Sequence, residues 1–359
     1  MTFQELLDKF NGFVKKKGFV SKEPIGLISR AFPNEFNVSA GHDYALEIFK
    51  APKPIEFPIS YSLIDTCFRR IDMEYVGYSN RHLSLFNIAL FACSAIKEKM
   101  GSCINELISI YTEFLWEILG FPKEKLMFTV FDGGQVLDFY LKREKSLFES
   151  LIKSGVPNTN ILPLKGRRNF FLAQNTECSG PTCEIYFDRG EKAGNSRFIE
   201  IGSINFYKYL FNNKDKNLNL SVNQIFVCAI GIERTLMVLQ NKSTIFDIDI
   251  IAPLVDILNK NFTLFESIIF SNSIKRIIDG IRSAVFILSE GIKPDSSSRG
   301  RILRKIIKDI KNQMKYLHLL TLDPLKDIER EVIEIYSDFY PKLKQNRVNL
   351  DKMLNFKGI

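Results

Sequence analysis

Two arginines and a phenylalanine in this chain have the chemistry to hold a nucleotide. Arg69 follows an extended, apolar run that ends Cys67-Phe68, and a polar loop separates it from Arg81-His82-Leu83-Ser84-Leu85-Phe86. Farther on, Phe226 to Arg234 (FVCAIGIER) closes another apolar run with Gly-Ile-Glu-Arg and opens an amphipathic helix. A guanidinium is a planar fork of donors that grips phosphate oxygens in pairs, and a phenylalanine face stacks on a purine. Arg69 on one strand, Phe86 on the next and Arg234 at a strand-to-helix junction therefore suit ATP bound in a bent shape, each arginine on a separate phosphate.

Long extended segments must position these groups. Residues 54–70 are proline-flanked and then rich in β formers, 83–93 form an apolar run, and Ile71 to Asn80 reads as the loop between them. Phe3, Leu6, Leu7, Phe10, Phe13 and Val14 recur at helical spacing, which predicts a helix over 3–18. Similar spacing predicts helices over Ser102 to Leu119 and Val136 to Ser154, with a strand at Lys125 to Phe131 between them. Thr182 to Phe187, Phe198 to Tyr209 and Asn223 to Ala229 read as strands. The expected class is α+β. An antiparallel β-sheet flanked by helices occupies residues 1–241, and an all-helical C-terminal domain occupies 242–359, joined through Asn241-Lys242-Ser243-Thr244.

Composition narrows the function classes. A chain of 359 residues, 45% hydrophobic and 25% charged, is an ordinary globular protein long enough for two domains. No apolar run reaches the ~18 residues that span a bilayer, and the N-terminus MTFQELLDKF is acidic and amphipathic rather than signal-like. A cytoplasmic protein without a membrane partner is expected. The six cysteines include no C-x-x-C pair and only His42, His82 and His318 supply imidazole, so no structural zinc and no disulfide is expected. A net charge of +8 favours a polyanionic partner. Arg301, Arg304, Lys308, Lys311 and Lys315 fall in one helical stripe, opposite Ile302, Leu303, Ile306, Ile307, Ile310 and Met314. Such a stripe is either the solvated outer face of a packed helix or a surface for RNA phosphates.

The order of the motifs resembles that of the alanyl-tRNA synthetases, a class II family. Asp72 to Phe86 (DMEYVGYSNRHLSLF) is similar to their motif-two hairpin, and Gly180-Pro181 through Glu184-Ile185-Tyr186 to their GPC-x-EI strand. Phe198-Ile199-Glu200-Ile201 resembles their YIEI strand, and Gly231 to Gln240 (GIERTLMVLQ) their GLER helix. IRSAVFILSEGIKP and RGRILRK, within Arg276 to Lys305, resemble the start of their tRNA-recognition domain. The resemblance implies that ATP with magnesium activates an amino acid or related carboxylic acid as its adenylate. It places Arg69 on the α-phosphate, where negative charge gathers in the transition state, and Arg234 on the γ-phosphate. It also stacks Phe86 on adenine, sets Asn87 at the adenine edge and lets Arg81 or His82 cover the phosphates. Glu184 and Glu200 are the metal carboxylates it implies, and Glu233 would support the Arg234 fork.

Departures from the family gather where the amino acid is chosen. Val227 stands where the family has an ammonium-binding aspartate, Phe171 where it has a tryptophan, and Gly202-Ser203 where it has Trp-Asn. Losing a buried carboxylate removes the partner of a desolvated ammonium, and Gly202 and Phe171 are expected to open volume. The expectation is altered specificity, for a larger acid or one whose amine is masked, absent or held elsewhere, with Asn205, Asn223 and Gln224 as replacement partners. Pro294-Asp295-Ser296 stands for the family's PSN tripeptide, which puts Ser296 at the RNA-reading position. No segment resembles the family's editing domain or oligomerising tail, so proofreading by that route is not expected. The acceptor is open among tRNA, a carrier-protein thiol and a small-molecule amine, and the class II sheet implies dimerisation through its first motif. The alternatives are a compact editing-deficient alanyl-tRNA synthetase and a non-catalytic RNA-binding or regulatory subunit. Retention of Arg69 and Arg234 counts against the last.

Overall fold

A computed structural model describes residues 1–172, 177–212, 216–319 and 321–346. The strands are β1 (Val20–Ser21), β2 (Ile59–Phe68), β3 (Leu85–Ile96), β4 (Leu126–Phe131), β5 (Gly134–Val136), β6 (Phe139–Leu141), β7 (Ile161–Leu164), β8 (Phe170–Leu172), β9 (Cys178–Asp188), β10 (Phe198–Asn212) and β11 (Asn217–Gly231). The helices before residue 240 are α1 (Phe3–Lys16), α2 (His42–Phe49), α3 (Lys97–Glu113), α4 (Lys145–Lys153) and α5 (Ile232–Leu239). Beyond it lie α6 (Ala252–Asn259), α7 (Leu264–Ile269), α8 (Ser271–Ser289), α9 (Ser298–Tyr316), α10 (Asp323–Tyr336) and α11 (Lys342–Gln345), so this part is helical as its periodicity predicts.

Nine strands form one sheet in the order β1-β2-β3-β11-β10-β9-β4-β7, with β8 also paired to β9. Its centre is antiparallel, but β1 joins β2 and β7 joins β4 in parallel, so the sheet is mixed rather than wholly antiparallel. Alternation along each strand gives the sheet two apolar faces. Phe226, Cys228 and Ile230 of β11 enter the larger core with α1, α3 and the C-terminal helices. Ile225, Val227 and Ala229 enter a smaller cluster with Leu90 and Ala92 of β3 and Ala45 and Phe49 of α2. The larger core is continuous from Phe3 to Leu343, so the sheet and the C-terminal helices share one interior.

Local chemistry explains the boundaries. Thr2 and Glu5 form a reciprocal capping box that starts α1, and its six expected apolar residues are all buried. The helix expected over Val136 to Ser154 is a correction: α4 starts only at Lys145, and β5 and β6 form a hairpin before it. Gly133 and Gly134 have φ of +77° and +108°, and a Cβ on Gly133 would lie 2.7 Å from the Leu141 carbonyl oxygen, so this stretch turns instead of coiling.

Gly202 is a second close approach. The β9–β10 register shifts between Glu200 and Gly202, and a Cβ at 202 would overlap the Tyr111 hydroxyl and the Ala229 carbonyl. Those two groups are hydrogen-bonded to each other at 2.6 Å, with Tyr111 donating. Gly202→Ala should therefore destabilise the fold by about 2 kcal/mol through overpacking. Urea unfolding measures this, and an unchanged midpoint would contradict the packing of β10 on α3.

Candidate active site

The pocket is built on four adjacent strands, β2, β3, β11 and β10. Arg69 leaves β2 in extended conformation, just before the short turn Arg70–Glu74. Its Nε donates to the Val38 carbonyl at 2.9 Å, and its guanidinium carbon lies 4.9 Å from the centre of the Phe86 ring. Phe86 is the β3 residue beside Cys67 of β2, so the hairpin register itself brings the ring under Arg69. Arg234 stands in the first turn of α5, where β11 ends at Gly231. Its Nε donates to the Arg81 carbonyl at 3.3 Å and its Nη1 lies 3.3 Å from Glu200 Oε2.

Arg69, Arg81, Phe86, Glu200, Gly202, Ser203 and Arg234 line one cleft that opens to solvent. Asp72 and Ile245 line it as well, and neither stands out in the sequence. Asp72 is drawn in by the turn, since its N–H donates to the Arg69 carbonyl, and Ile245 by its N–H to the Asn80 carbonyl. His82 lies beside the cleft, 2.6 Å from the Ser79 hydroxyl and against the Tyr75 ring. Burial, and then the charge of Arg234, hold its imidazole below the usual pKa.

Several expected residues face elsewhere. Asn87 points to the opposite face of β3. Its Nδ2 donates to Glu233 at 2.8 Å and its Oδ1 accepts from Thr66 at 2.9 Å, so its amide is occupied away from any adenine edge. Glu233, for its part, is buried against Asn87 and Arg282 rather than supporting the Arg234 fork. Gly202 contributes backbone to the cleft, but a side chain there would point at α3, so its smallness opens no substrate volume.

The space expected to be enlarged is filled. Phe171 packs edge-on against Tyr207 with ring centres 4.9 Å apart, and Val227 is buried in the same cluster. The Tyr207 hydroxyl lies 3.0 Å from His42 Nδ1, and burial brings the His42 pKa down to about 4, so this cluster is uncharged at neutral pH. Asn223 holds the backbone of the 48–55 segment, and Gln224 is buried beside Ser221, so neither reaches the cleft. Asn205 is half-buried and donates to the Ser203 hydroxyl at 3.1 Å.

The donor set suits magnesium-bound phosphates. Magnesium takes oxygen ligands, commonly one or two carboxylates together with phosphate. Glu184 and Glu200 lie on the paired strands β9 and β10, and Glu184 also feels the charges of Arg69 and Arg234. Among the described residues no group of three His, Cys, Asp or Glu could hold an ion without such help. Burial, and then the charge of Glu200, push the Glu184 carboxyl up to about 7, the direction that a nearby dication would reverse.

The expected RNA-contacting residues form a separate surface. Arg301, Arg304, Lys308 and Lys315 are exposed and Lys311 is half-exposed along α9, while Ile302, Leu303, Ile306, Ile307, Ile310 and Met314 are buried. Ser296 is exposed just before Ser297, which caps α9. None of these lines the cleft. Among the described residues no helix is long and apolar enough to cross a membrane.

The raised Glu184 pKa carries a stability consequence. Between its unfolded value of 4.5 and its folded value of about 7, the folded state binds a proton that the unfolded state does not, so stability is lost as pH rises through this window. Glu184→Gln should abolish that loss, gaining up to about 3 kcal/mol over the parent protein at pH 8. Chemical denaturation of both proteins from pH 4 to pH 8 reads the difference, and parallel curves would contradict the half-buried, charge-crowded placement of Glu184.

Residues 5–357 match the family described as tRNA synthetases class II (A). The chain is 28% identical to the alanine-tRNA ligase of Elusimicrobium minutum (strain Pei191), over 97% of this chain and 40% of that protein. It is 27% identical to the alanine-tRNA ligase of Malacoplasma penetrans (strain HF-2), over 98% of this chain and 38% of that protein. The chain thus spans about 40% of the length of such curated relatives. A solved structure it is similar to is the RNA binding domain of threonyl-tRNA synthetase from Cryptosporidium parvum Iowa II, at 14% identity and a TM-score of 0.47, covering 66% of this chain and 63% of that one. With the family match running almost end to end over a sheet that carries its motifs in order, the chain belongs to the class II alanyl-tRNA synthetase family.

Proposed function

We propose that this protein adenylates a carboxylic or amino acid with ATP and magnesium and passes the acyl group to an acceptor, with tRNA as the favoured one. The observation that carries this reading is the convergence of Arg69, Phe86 and Arg234 on one cleft, with Glu200 ion-paired to Arg234. A carboxylate oxygen attacks the α-phosphorus, the pentavalent centre gathers negative charge, and pyrophosphate leaves. Arg69 stabilises that charge, and Arg234 orients the outgoing phosphates. Magnesium would be held between the phosphates and Glu200, with Glu184 close by, and would screen their repulsion.

The acid is proposed to differ from alanine. Val227 lies in an uncharged aromatic cluster, so no carboxylate stands where the family holds an ammonium. The family match to alanine-tRNA ligases supports the second reading, an alanyl-tRNA synthetase that holds the ammonium by another residue. On either reading the protein works in the cytoplasm. The basic stripe of α9 supports tRNA over a carrier-protein thiol or a small amine as acceptor.

Pyrophosphate exchange across a panel of amino and hydroxy acids tests the chemistry. Exchange should depend on an acid other than alanine, and Arg69→Ala should lower turnover by at least about two orders of magnitude. Exchange that is unchanged in Arg69→Ala would refute the active-site assignment. Wild-type exchange that prefers alanine would instead establish the second reading.

If the stripe contacts RNA, tRNA binding should weaken steeply with salt. The slope should decrease by about one for each of Arg301, Arg304 or Lys308 changed to alanine. Filter binding at several salt concentrations measures this, and salt-insensitive or undetectable binding would favour the other acceptors.

A further inference from the structure

Helix α8 reaches both walls of the proposed ATP cleft from behind, through the Asp279 carboxylate and the Arg282 guanidinium. Arg282 has no exposed surface. Its Nη2 donates to the Tyr336 hydroxyl at 2.9 Å and lies 3.9 Å from Glu233 Oε1. Its Nη1 lies 3.8 Å from Asp279 Oδ1 and donates to the Leu85 carbonyl at 3.4 Å. The two carboxylates are themselves occupied on the sheet. Glu233 accepts from the Asn87 N–H at 2.9 Å, and Asp279 from the Ser84 N–H at 3.0 Å and from the Ser84 hydroxyl.

These contacts bracket the groups that line the cleft. Glu233 immediately precedes Arg234, while Ser84 and Asn87 lie on either side of Phe86. Ser84 immediately precedes β3 and Asn87 faces away from Phe86, so anchoring the first on Asp279 and the second on Glu233 restrains the backbone on either side of the Phe86 ring. A buried ion pair is a poor device for stability alone, since apolar packing of the same volume does as well, and its best-attested use is to fix one geometry. Without the guanidinium two carboxylates would stand in the interior with no cation beside them, so arrangements that move Arg282 away are disfavoured.

We propose that Arg282 is a positioning residue for ATP: by compensating Glu233 and Asp279 together it sets the spacing of Arg234 and Phe86, so the C-terminal helices determine nucleotide affinity. The proposal rests on the reading of the cleft as an ATP site. It predicts that ATP binding depends on Arg282 and Asp279, which do not line the cleft.

The test compares the full-length wild type with Glu233→Gln, Asp279→Asn and Arg282→Lys. Each is measured by circular dichroism, by calorimetric titration with magnesium ATP, and by the separate KM values for ATP and acid in pyrophosphate exchange. Glu233→Gln and Asp279→Asn remove one charge without a cavity, and they carry the test should Arg282→Lys fail to fold. Folded variants should show Kd and KM for ATP raised about tenfold with the acid KM unchanged, the result of displacing phosphate and ring contacts by a fraction of an ångström. Effects of Glu233→Gln and Arg282→Lys should be less than additive, because they break the same contact. Folded variants with wild-type ATP affinity overturn the proposal, as does an equal rise in both KM values. A wild type that binds no ATP overturns the reading of the cleft as well, which separates the two failures.

Discussion

Most of the molecule's organisation depends on the pleat of three neighbouring strands, β3, β11 and β10. Side chains on a strand alternate between faces, so a step of one residue moves a group from the cleft to the interior. Phe86 faces the cleft and Asn87 the core. Strict alternation would place Glu200 and Ser203 on opposite faces, yet both line the cleft. The register shift between Glu200 and Gly202 reconciles them, because the extra residue is absorbed there and the alternation restarts. The absence of a Cβ at 202 is what allows β10 to lie against the Tyr111 hydroxyl while this happens.

The charges on the two faces follow different rules. In front, Arg234 and Glu200 are partly exposed, at 23% and 41% of their side-chain surfaces, so their pairing contributes at most about 1 kcal/mol and is easily exchanged for a phosphate. Behind, Arg282, Glu233 and Asp279 are buried, each is hydrogen-bonded to backbone, and the guanidinium is ion-paired to both carboxylates at 3.8–3.9 Å. Exchanging a partner there would strand a charge in the interior. A weak pair over a strong one suits a binding site, because the arginine fork stays free to meet a ligand while the strand and helix that carry it do not move.

The motif residues were legible in the sequence because their types are unusual where they stand. An arginine ending an apolar run, or one following Gly-Ile-Glu at a helix start, is rarely mere packing, and Arg69 and Arg234 do meet at one cleft. The amphipathic faces of α1 and α9 were legible for a simpler reason, since each buries one side only. What was hidden depended on direction and neighbours. Spacing does not say that Asn87 points backward or that Glu233 pairs with a residue of α8. Nor does it say that Phe171, read as smaller than a tryptophan, would be met by Tyr207 and leave no room. The Val136 to Ser154 stretch has helical spacing throughout, but the positive φ angles of Gly133 and Gly134 and of Leu137 divert its first half into a hairpin.

The same pleat separates chemistry from selection in the proposed reading. Gly231 and Ala229 line the charged cleft, whereas Val227 and Ile225, farther along the same face of β11, lie in the apolar cluster with Tyr207 and Phe171. A change at 227 therefore alters what can sit beyond the reacting carboxylate without touching Arg69, Phe86 or Arg234. A carboxylate at 227 would enter the apolar cluster that holds Ile225, Tyr207 and Phe171, with Asn205 of β10 as its cross-strand neighbour and the nearby His42 neutral. Burying it unpaired would cost several kcal/mol. A valine there thus belongs with the packing around it, and restoring an ammonium site would require remodelling Tyr207 and Phe171 together with Val227.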